Sequence, residues 1–335
     1  MDPVTHGLVG ATFTQSFADK KSFRAATLTG FTSALLADAD IFISSSTDPL
    51  LNLEIHRQFT HSLLFIPVGA LIATCLVWWF TRKYLTFKET FLFSFSGYAT
   101  AGFMDYLTSY GVHLLWPFSG DRYALDIISV FDPVFTIGVL VFITLAYIKR
   151  QNLYSGIALA WILLYLLFGY SQQQKAYRAI DQVIHNQGYA TKQTVVKPTI
   201  ANQLLWSARY ISADTVYSYG VRLIPFSEPQ IYKGQTAPLL DWQSEYSDLK
   251  GTTLYRDIRR FSDLSNGYLI SHPDHKNVIG DARYSMLPTI LSPLWGISAD
   301  TSRPNKHVSF DTYRDARSEV RKAYIDMLMG RISDH

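Results

Sequence analysis

Six side chains in the first third of the sequence, His6, Asp38, Asp40, His56, His61 and Asp105, are of the types that ligate metals or move protons, and Arg57 sits among them. Imidazole and carboxylate together form a ligand set for Zn²⁺ and similar divalent ions. The same groups serve as general bases toward water, and the planar fork of arginine suits a phosphate. Each residue also has a plainer reading. Asp38 suits a helix break, Asp132-Pro133 suits a helix start with Asp as N-cap, and Arg57 suits an interfacial position with its head in water. What distinguishes the group is its placement, because every member stands at an end of an apolar segment.

Those segments must position the group. Ser62–Phe80 is 19 uncharged, mostly apolar residues ending in Trp78-Trp79-Phe80. A membrane-spanning helix needs ~20 such residues, and Trp favours the interface. Thr90–Met104, Pro133–Ile148 and Ser155–Tyr170 are shorter apolar stretches. His6–Ala18 and Ala25–Ala37 would each give only about 20 Å of helix. Basic residues cluster at Lys20, Lys21 and Arg24, then at Arg82, Lys83 and Lys88, then at Lys149 and Arg150, with two apolar segments between clusters. The positive-inside rule makes these clusters cytoplasmic. The expected fold of residues 1–171 is therefore an α-helical membrane bundle of about 4–6 apolar segments. Its His and Asp residues then share the opposite, non-cytoplasmic edge. Charges near a bilayer are costly unless paired, solvated or metal-bound, so such a layer points to a functional site.

Charge changes along the chain. Residues 1–170 hold 21 Asp, Glu, Lys and Arg, and residues 171–335 hold 36. Residues 172–335 have no span-length apolar run. A helix over Gln172–Gln187 leads to short β-type runs at Thr194–Val196, Thr215–Val221, Gly267–Ile270 and Val278–Tyr284, punctuated by turn residues, and Asp311–Gly330 reads as a closing helix. The expectation is a β-rich, extramembrane, non-cytoplasmic domain with flanking helices. His272 and His275 lie in a turn-like stretch and read as surface residues. A net charge of +3 and the lack of a long basic run argue against nucleic acid as a partner. The single cysteine, Cys75, can form no internal disulfide. Met1–His6 has no basic run or cleavage site, so these residues are expected in the mature protein.

The motifs Thr5-His6-Gly7, Ala37-Asp38-Ala39-Asp40, His56-Arg57-Gln58-Phe59-Thr60-His61-Ser62, Asp105 with Thr108-Ser109-Tyr110-Gly111, and Leu114-Leu115-Trp116-Pro117-Phe118 resemble the YdjM-like family of inner-membrane, metal-dependent hydrolases. Val196-Lys197-Pro198-Thr199, Leu204-Leu205-Trp206 and Asp281-Ala282-Arg283-Tyr284 resemble its C-terminal region. The order of elements is similar, more remotely, to zinc-dependent phospholipase C and P1-type nucleases. The resemblance implies that His6, Asp38 (or Asp40), His61 and Asp105 ligate one or two divalent ions, zinc foremost. Asp38 or Asp40 would act as the base, His56 as a ligand or an orienting group, and Arg57 as the grip on an anion. It implies hydrolysis of a phosphoester in a phospholipid or lipid-linked substrate at the outer face of the inner membrane. One position departs from the pattern. The remote relatives carry His one turn before the last Asp, and here that position is Ala101, which leaves an impaired site, a substitute such as His113, or an inactive variant as alternatives. A transporter would need polar residues and broken helices at mid-membrane, for which Pro67 and Gly69 are the one candidate pair in otherwise clean spans, so it is the less favoured alternative. A membrane-anchored binding or scaffold protein remains the other class.

Overall fold

The computed structural model describes residues 1–315 and 317–331. The chain forms two compact units. The first comprises residues 1–43, 55–171 and 200–202, and the second 44–54, 172–199 and 203–335. Two segments thus depart from a linear division of the chain.

In the first unit, α1 (Pro3–Ser16) is N-capped by Asp2, whose Oδ1 accepts from Thr5 N at 3.0 Å. α2 (Phe23–Leu36) runs directly into a 3-10 helix, Ala37–Phe42. After α3 (Pro49–Ile55), two short 3-10 turns lead into α4 (Ile66–Thr81). α5 (Phe87–Tyr106) opens with a complete capping box between Thr86 and Glu89. α6 (Pro133–Lys149) starts on Asp132, whose Oδ1 accepts from Phe135 N at 3.1 Å. Tyr165 Oη also donates to Asp132, so this aspartate serves as a helix cap. α7 (Asn152–Asn186) is a single 35-residue helix.

The expectation of about 4–6 membrane-crossing segments is corrected here. Among the described residues, two helices are long and apolar enough to cross a bilayer: Leu63–Thr81 and Asn152–Asn186. The other apolar stretches do form helices, but α1 and α2 have 14 residues each and α6 has 17. At 1.5 Å per residue these fall short of the ~30 Å hydrocarbon core. α5 is long enough at 20 residues, but it carries Lys88, Glu89 and Asp105 and many hydroxyls.

Three glycines set how closely α1, α2 and α5 approach. A Cβ on Gly10 of α1 or on Gly97 of α5 would lie 2.6 Å from the backbone oxygen of Gly30 on α2. No side chain fits there, and the helices whose ends carry His6, Asp38 and Asp105 are drawn together at this crossing. The apolar packing beside it includes Leu8, Val9, Met104, Phe135 and Val139.

The second unit is β-rich with flanking helices. β1 (Thr191–Pro198), β2 (Leu205–Ser212), β3 (Thr215–Arg222) and β4 (Gln230–Pro238) form an antiparallel meander in sequence order. Trp206, Ala208 and Tyr219 of this sheet pack on Ala176, Ile180 and Ile184 of α7. α8 (Trp242–Glu245) and α9 (Thr253–Leu264) precede a second antiparallel meander of β5 (Leu269–Ser271), β6 (Val278–Asp281), β7 (Trp295–Ser298) and β8 (Ser309–Thr312). Leu254, Ile258 and Phe261 of α9 cover it together with Leu50. α10 (Ser318–Met329) closes the described chain, and the first residues expected in that helix, Asp311 and Thr312, are the end of β8.

Candidate metal centre

Four elements deliver the site. His6 lies in the first turn of α1, Asp38 in the 3-10 turn after α2, His61 at the end of the 3-10 turn Phe59–His61, and Asp105 in the last turn of α5. Each segment end holds its residue for a local reason. Asp2 fixes the start of α1. Ser62 stops the turn at His61 and caps the next one, accepting from Phe65 N at 3.3 Å. Gly102 lets α5 press against the His61 backbone, since a Cβ there would stand 2.5 Å from His61 O.

The two carboxylates lie between the two imidazoles. Asp105 places Oδ1 3.2 Å from His6 Nε2 and Oδ2 3.2 Å from His61 Nε2. Asp38 places Oδ2 4.0 Å from His6 Nε2 and Oδ1 3.4 Å from His61 Nε2. Donor atoms of His6, Asp38 and Asp105 lie within 4.8 Å of one another, a grouping that can hold a metal ion. Ligands bound at ~2.0–2.2 Å around a tetrahedral Zn²⁺ stand about 3.4 Å apart, so the spacings fit a divalent ion. The hydrogen bonding fits as well. His61 Nε2, Asp38 Oδ2 and Asp105 Oδ2 are buried without an aligned hydrogen-bond partner. Buried polar atoms are rarely left so, and here they converge. All side chains of the four are fully buried except Asp38, at 13% exposure.

A surrounding shell holds these groups. Thr60 Oγ1 lies 2.9 Å from His61 Nδ1 and donates to Asp40 Oδ2 at 2.8 Å. With Nδ1 so engaged, His61 presents Nε2 to the site. Asp40 also accepts from Arg57 N at 2.8 Å and pairs with His56 Nδ1 at 2.9 Å. Asp40 and His56 therefore brace the His56–His61 loop. Arg57 takes a left-handed backbone (φ 62°), uncommon for a side chain of its size. That turn brings its Nε 2.9 Å from Asp105 Oδ2. The Met1 amino group also pairs with Asp105.

The charges follow from this packing. Burial by itself raises the Asp105 carboxyl, but Arg57, the Met1 amino group and His6 outweigh it and hold it well below the ordinary value. Asp38 is likewise held low against its burial, by His61 and His6. His61 is shifted upward, because Asp105 and Asp38 overcome the opposing effect of burial. Two anionic carboxylates facing two imidazoles make an electron-rich pocket.

The structure brings His6, Asp38, His61 and Asp105 together and sets Asp40, His56 and Arg57 around them. Ala101 is fully buried in an apolar cluster with Ala37 and Tyr98, against Leu36, Phe65 and Ile66. His113 stands outside the cluster, with Arg122 Nε donating to its Nε2 at 3.3 Å. Thr60 was missed by sequence reasoning, although it sits within the His-Arg-x-x-Thr-His motif. So was a second grouping, Asp48, Asp257 and His307 in the second unit, which can also hold a metal by geometry. There, however, Arg260 already pairs with Asp48 at 3.0 Å, Asp257 at 2.9 Å and Glu54 at 2.7 Å. His272, expected at the surface, is buried, its ring against His275 and Tyr313, whereas His275 is exposed.

A protein-family model described as YdjM inner membrane protein matches residues 1–176. No curated protein and no solved structure matches the chain.

Proposed function

This chain belongs to the YdjM inner membrane protein family, and from its buried His and Asp cluster we propose that it is a membrane-embedded, metal-dependent hydrolase whose substrate is a phosphoester of a phospholipid or lipid-linked molecule. The observation that carries this reading is the placement of two buried carboxylates between two buried imidazoles, with His61 Nε2 and Asp38 Oδ2 lacking an aligned hydrogen-bond partner. His6, His61, Asp105 and Asp38 would hold the ion. A divalent ion, when bound, supplies a water acidic enough to attack near neutral pH and polarisation of the group attacked. Asp38 is the member with solvent access, so it is the residue placed to take a proton from an entering water. Arg57 holds Asp105 low and in place, rather than standing free to grip substrate. Asp40 and His56 act through Thr60 and the loop that carries His61. The family match and the two helices long and apolar enough to cross a bilayer support a membrane location, and a lipid-type substrate would reach such a site by lateral diffusion.

One observation favours a second reading, metal binding without catalysis: Arg57, the cation of the His56–His61 loop, is already paired with Asp105 and so is not free for a phosphate. Elemental analysis of the purified protein, with hydrolysis of bis(p-nitrophenyl) phosphate and of phospholipid vesicles, separates the two. The hydrolase reading expects bound divalent metal and an activity lost on chelation and in Asp38→Asn. Metal without activity supports the second reading, and no metal in the parent protein overturns both.

A further inference from the structure

A groove of about 590 Å³ opens on the first unit between α1, α2, α4 and α6. It lies at the far end of α2 from the metal centre, since Arg24 and Asp38 are about 20 Å apart along that segment. Its walls are apolar, with Leu8, Leu28, Phe31, Leu140 and Ile143. Its rim carries Lys20, Lys21, Arg24 and Arg150, and no carboxylate lines it. None of the four cations forms an ion pair among the described residues. Arg24 rests 5.1 Å from the centre of the Tyr147 ring. The first turn of α2 lies at this positive end and has no side-chain cap from Ser22. A second furrow of about 430 Å³ shares Leu28 and Phe80 with the groove. It continues between α2 and α4 past Thr32, Leu36, Ala73 and Leu76.

We propose that groove and furrow together bind one anionic phospholipid, its phosphate at Lys20, Lys21, Arg24 and Arg150 and an acyl chain along α2 and α4. Charge complementarity selects the occupant. A zwitterionic lipid has no net charge to set against four cations, and a free phosphate has no use for an apolar track about 12 Å long from Leu28 to Leu36. Basic pockets between membrane helices are suited to anionic headgroups for this reason. Orientation by the positive-inside rule explains cations at this end, but not the open apolar furrow that leads away from them. The proposal does not rest on the metal centre.

The test uses the full chain purified in neutral detergent and titrated with phosphatidylglycerol, phosphatidylcholine or inorganic phosphate, read by melting temperature and native mass spectrometry. Phosphatidylglycerol should raise the melting temperature and stay attached as a single lipid, with phosphatidylcholine doing neither. The combined variant Lys20→Gln, Lys21→Gln, Arg24→Gln should bind phosphatidylglycerol roughly 100-fold more weakly, about fivefold for each cation. Leu28→Trp keeps every cation and blocks the passage between groove and furrow, so it should lose the lipid as well, and it decides the matter if the triple variant does not fold. Equal effects of the two lipids would overturn the proposal, as would undiminished binding in the variants. A full shift produced by inorganic phosphate would also overturn it, because the site would then be one for anions and not for lipid. Bound metal should be the same in Leu28→Trp and the parent, so this outcome stays separate from that of the hydrolase reading.

Discussion

Thr60 joins the two layers of the metal centre through one hydroxyl, in contact with His61 Nδ1 and donating to Asp40. Thr60→Val keeps the shape and removes the link. Metal affinity should fall ~10–100-fold, the usual cost of losing such an orienting partner, and the metal-free protein should lose ~1–3 kcal/mol because His61 Nδ1 is left buried without its partner. Competition against a fluorescent chelator measures this, and undiminished affinity would remove Thr60 from the site. Ala101 gives the opposite kind of prediction. From sequence, the position one turn before Asp105 invites a histidine, and Ala101→His would be expected to tighten metal binding. In the structure the methyl group is packed among Ala37 and Tyr98 with no exposure. A histidine there overfills the cluster, so Ala101→His should lose ~1–3 kcal/mol of stability and gain no metal affinity. A melting curve beside a metal titration checks both statements.

At the scale of elements, the segment 44–54 depends on Arg260. Its guanidinium pairs with Asp48, Glu54 and the buried Asp257, while Asp257 also accepts from Val308 N at 3.1 Å. Arg260→Ala leaves Asp257 buried without its cation and should destabilise the second unit by ~3 kcal/mol, the low end for a broken buried pair because Arg260 is partly exposed. Denaturant unfolding would show it. The same contacts set a pH dependence. Burial opposes ionisation of Asp48, but Arg260 outweighs it and keeps this carboxyl below its ordinary value. A depressed folded-state pKa contributes stability above the unfolded value, about 4, and loses it as the pH falls through the folded one. The hydrogen-exchange protection of residues 44–54, relative to the intrinsic rate at each pH, should therefore fall in acid below about pH 4 in the parent, and Arg260→Ala should remove much of that dependence. None of this was legible in the sequence, because the partners are 206 to 212 residues apart and no local period connects them. β3 was legible as a run rich in β-branched and aromatic residues, β1 only through its Thr194–Val196 centre, and β5 and β6 through the turn residues that bound them. β2, β4, β7 and β8 were not read from the sequence.

For the whole molecule, apolar segments were easy to find in the sequence, but not all of them are membrane spans. The stretch Ser62–Phe80 nearly coincides with the helical span Leu63–Thr81, whereas Ser155–Tyr170 shows only part of Asn152–Asn186, and helix length and interior polarity separate these two from the rest. The basic residues after the first of these spans, Arg82, Lys83 and Lys88, favour a cytoplasmic position. A reporter inserted after Lys83 should therefore be cytoplasmic and one after Gly188 should not. Both reporting from one side would refute that topology. The second unit's claim on residues 44–54 has a consequence for the order in which the protein is made. These residues leave the ribosome between Asp38 and His61, yet Arg260 follows Glu54 by 206 residues. At ~5–20 residues per second, that acidic stretch waits roughly 10–40 s for its partner. For that interval the loop joining two members of the metal cluster is untethered, so a ribosome stalled before residue 260 would display the cluster's four residues in a nascent chain whose connecting loop is still slack.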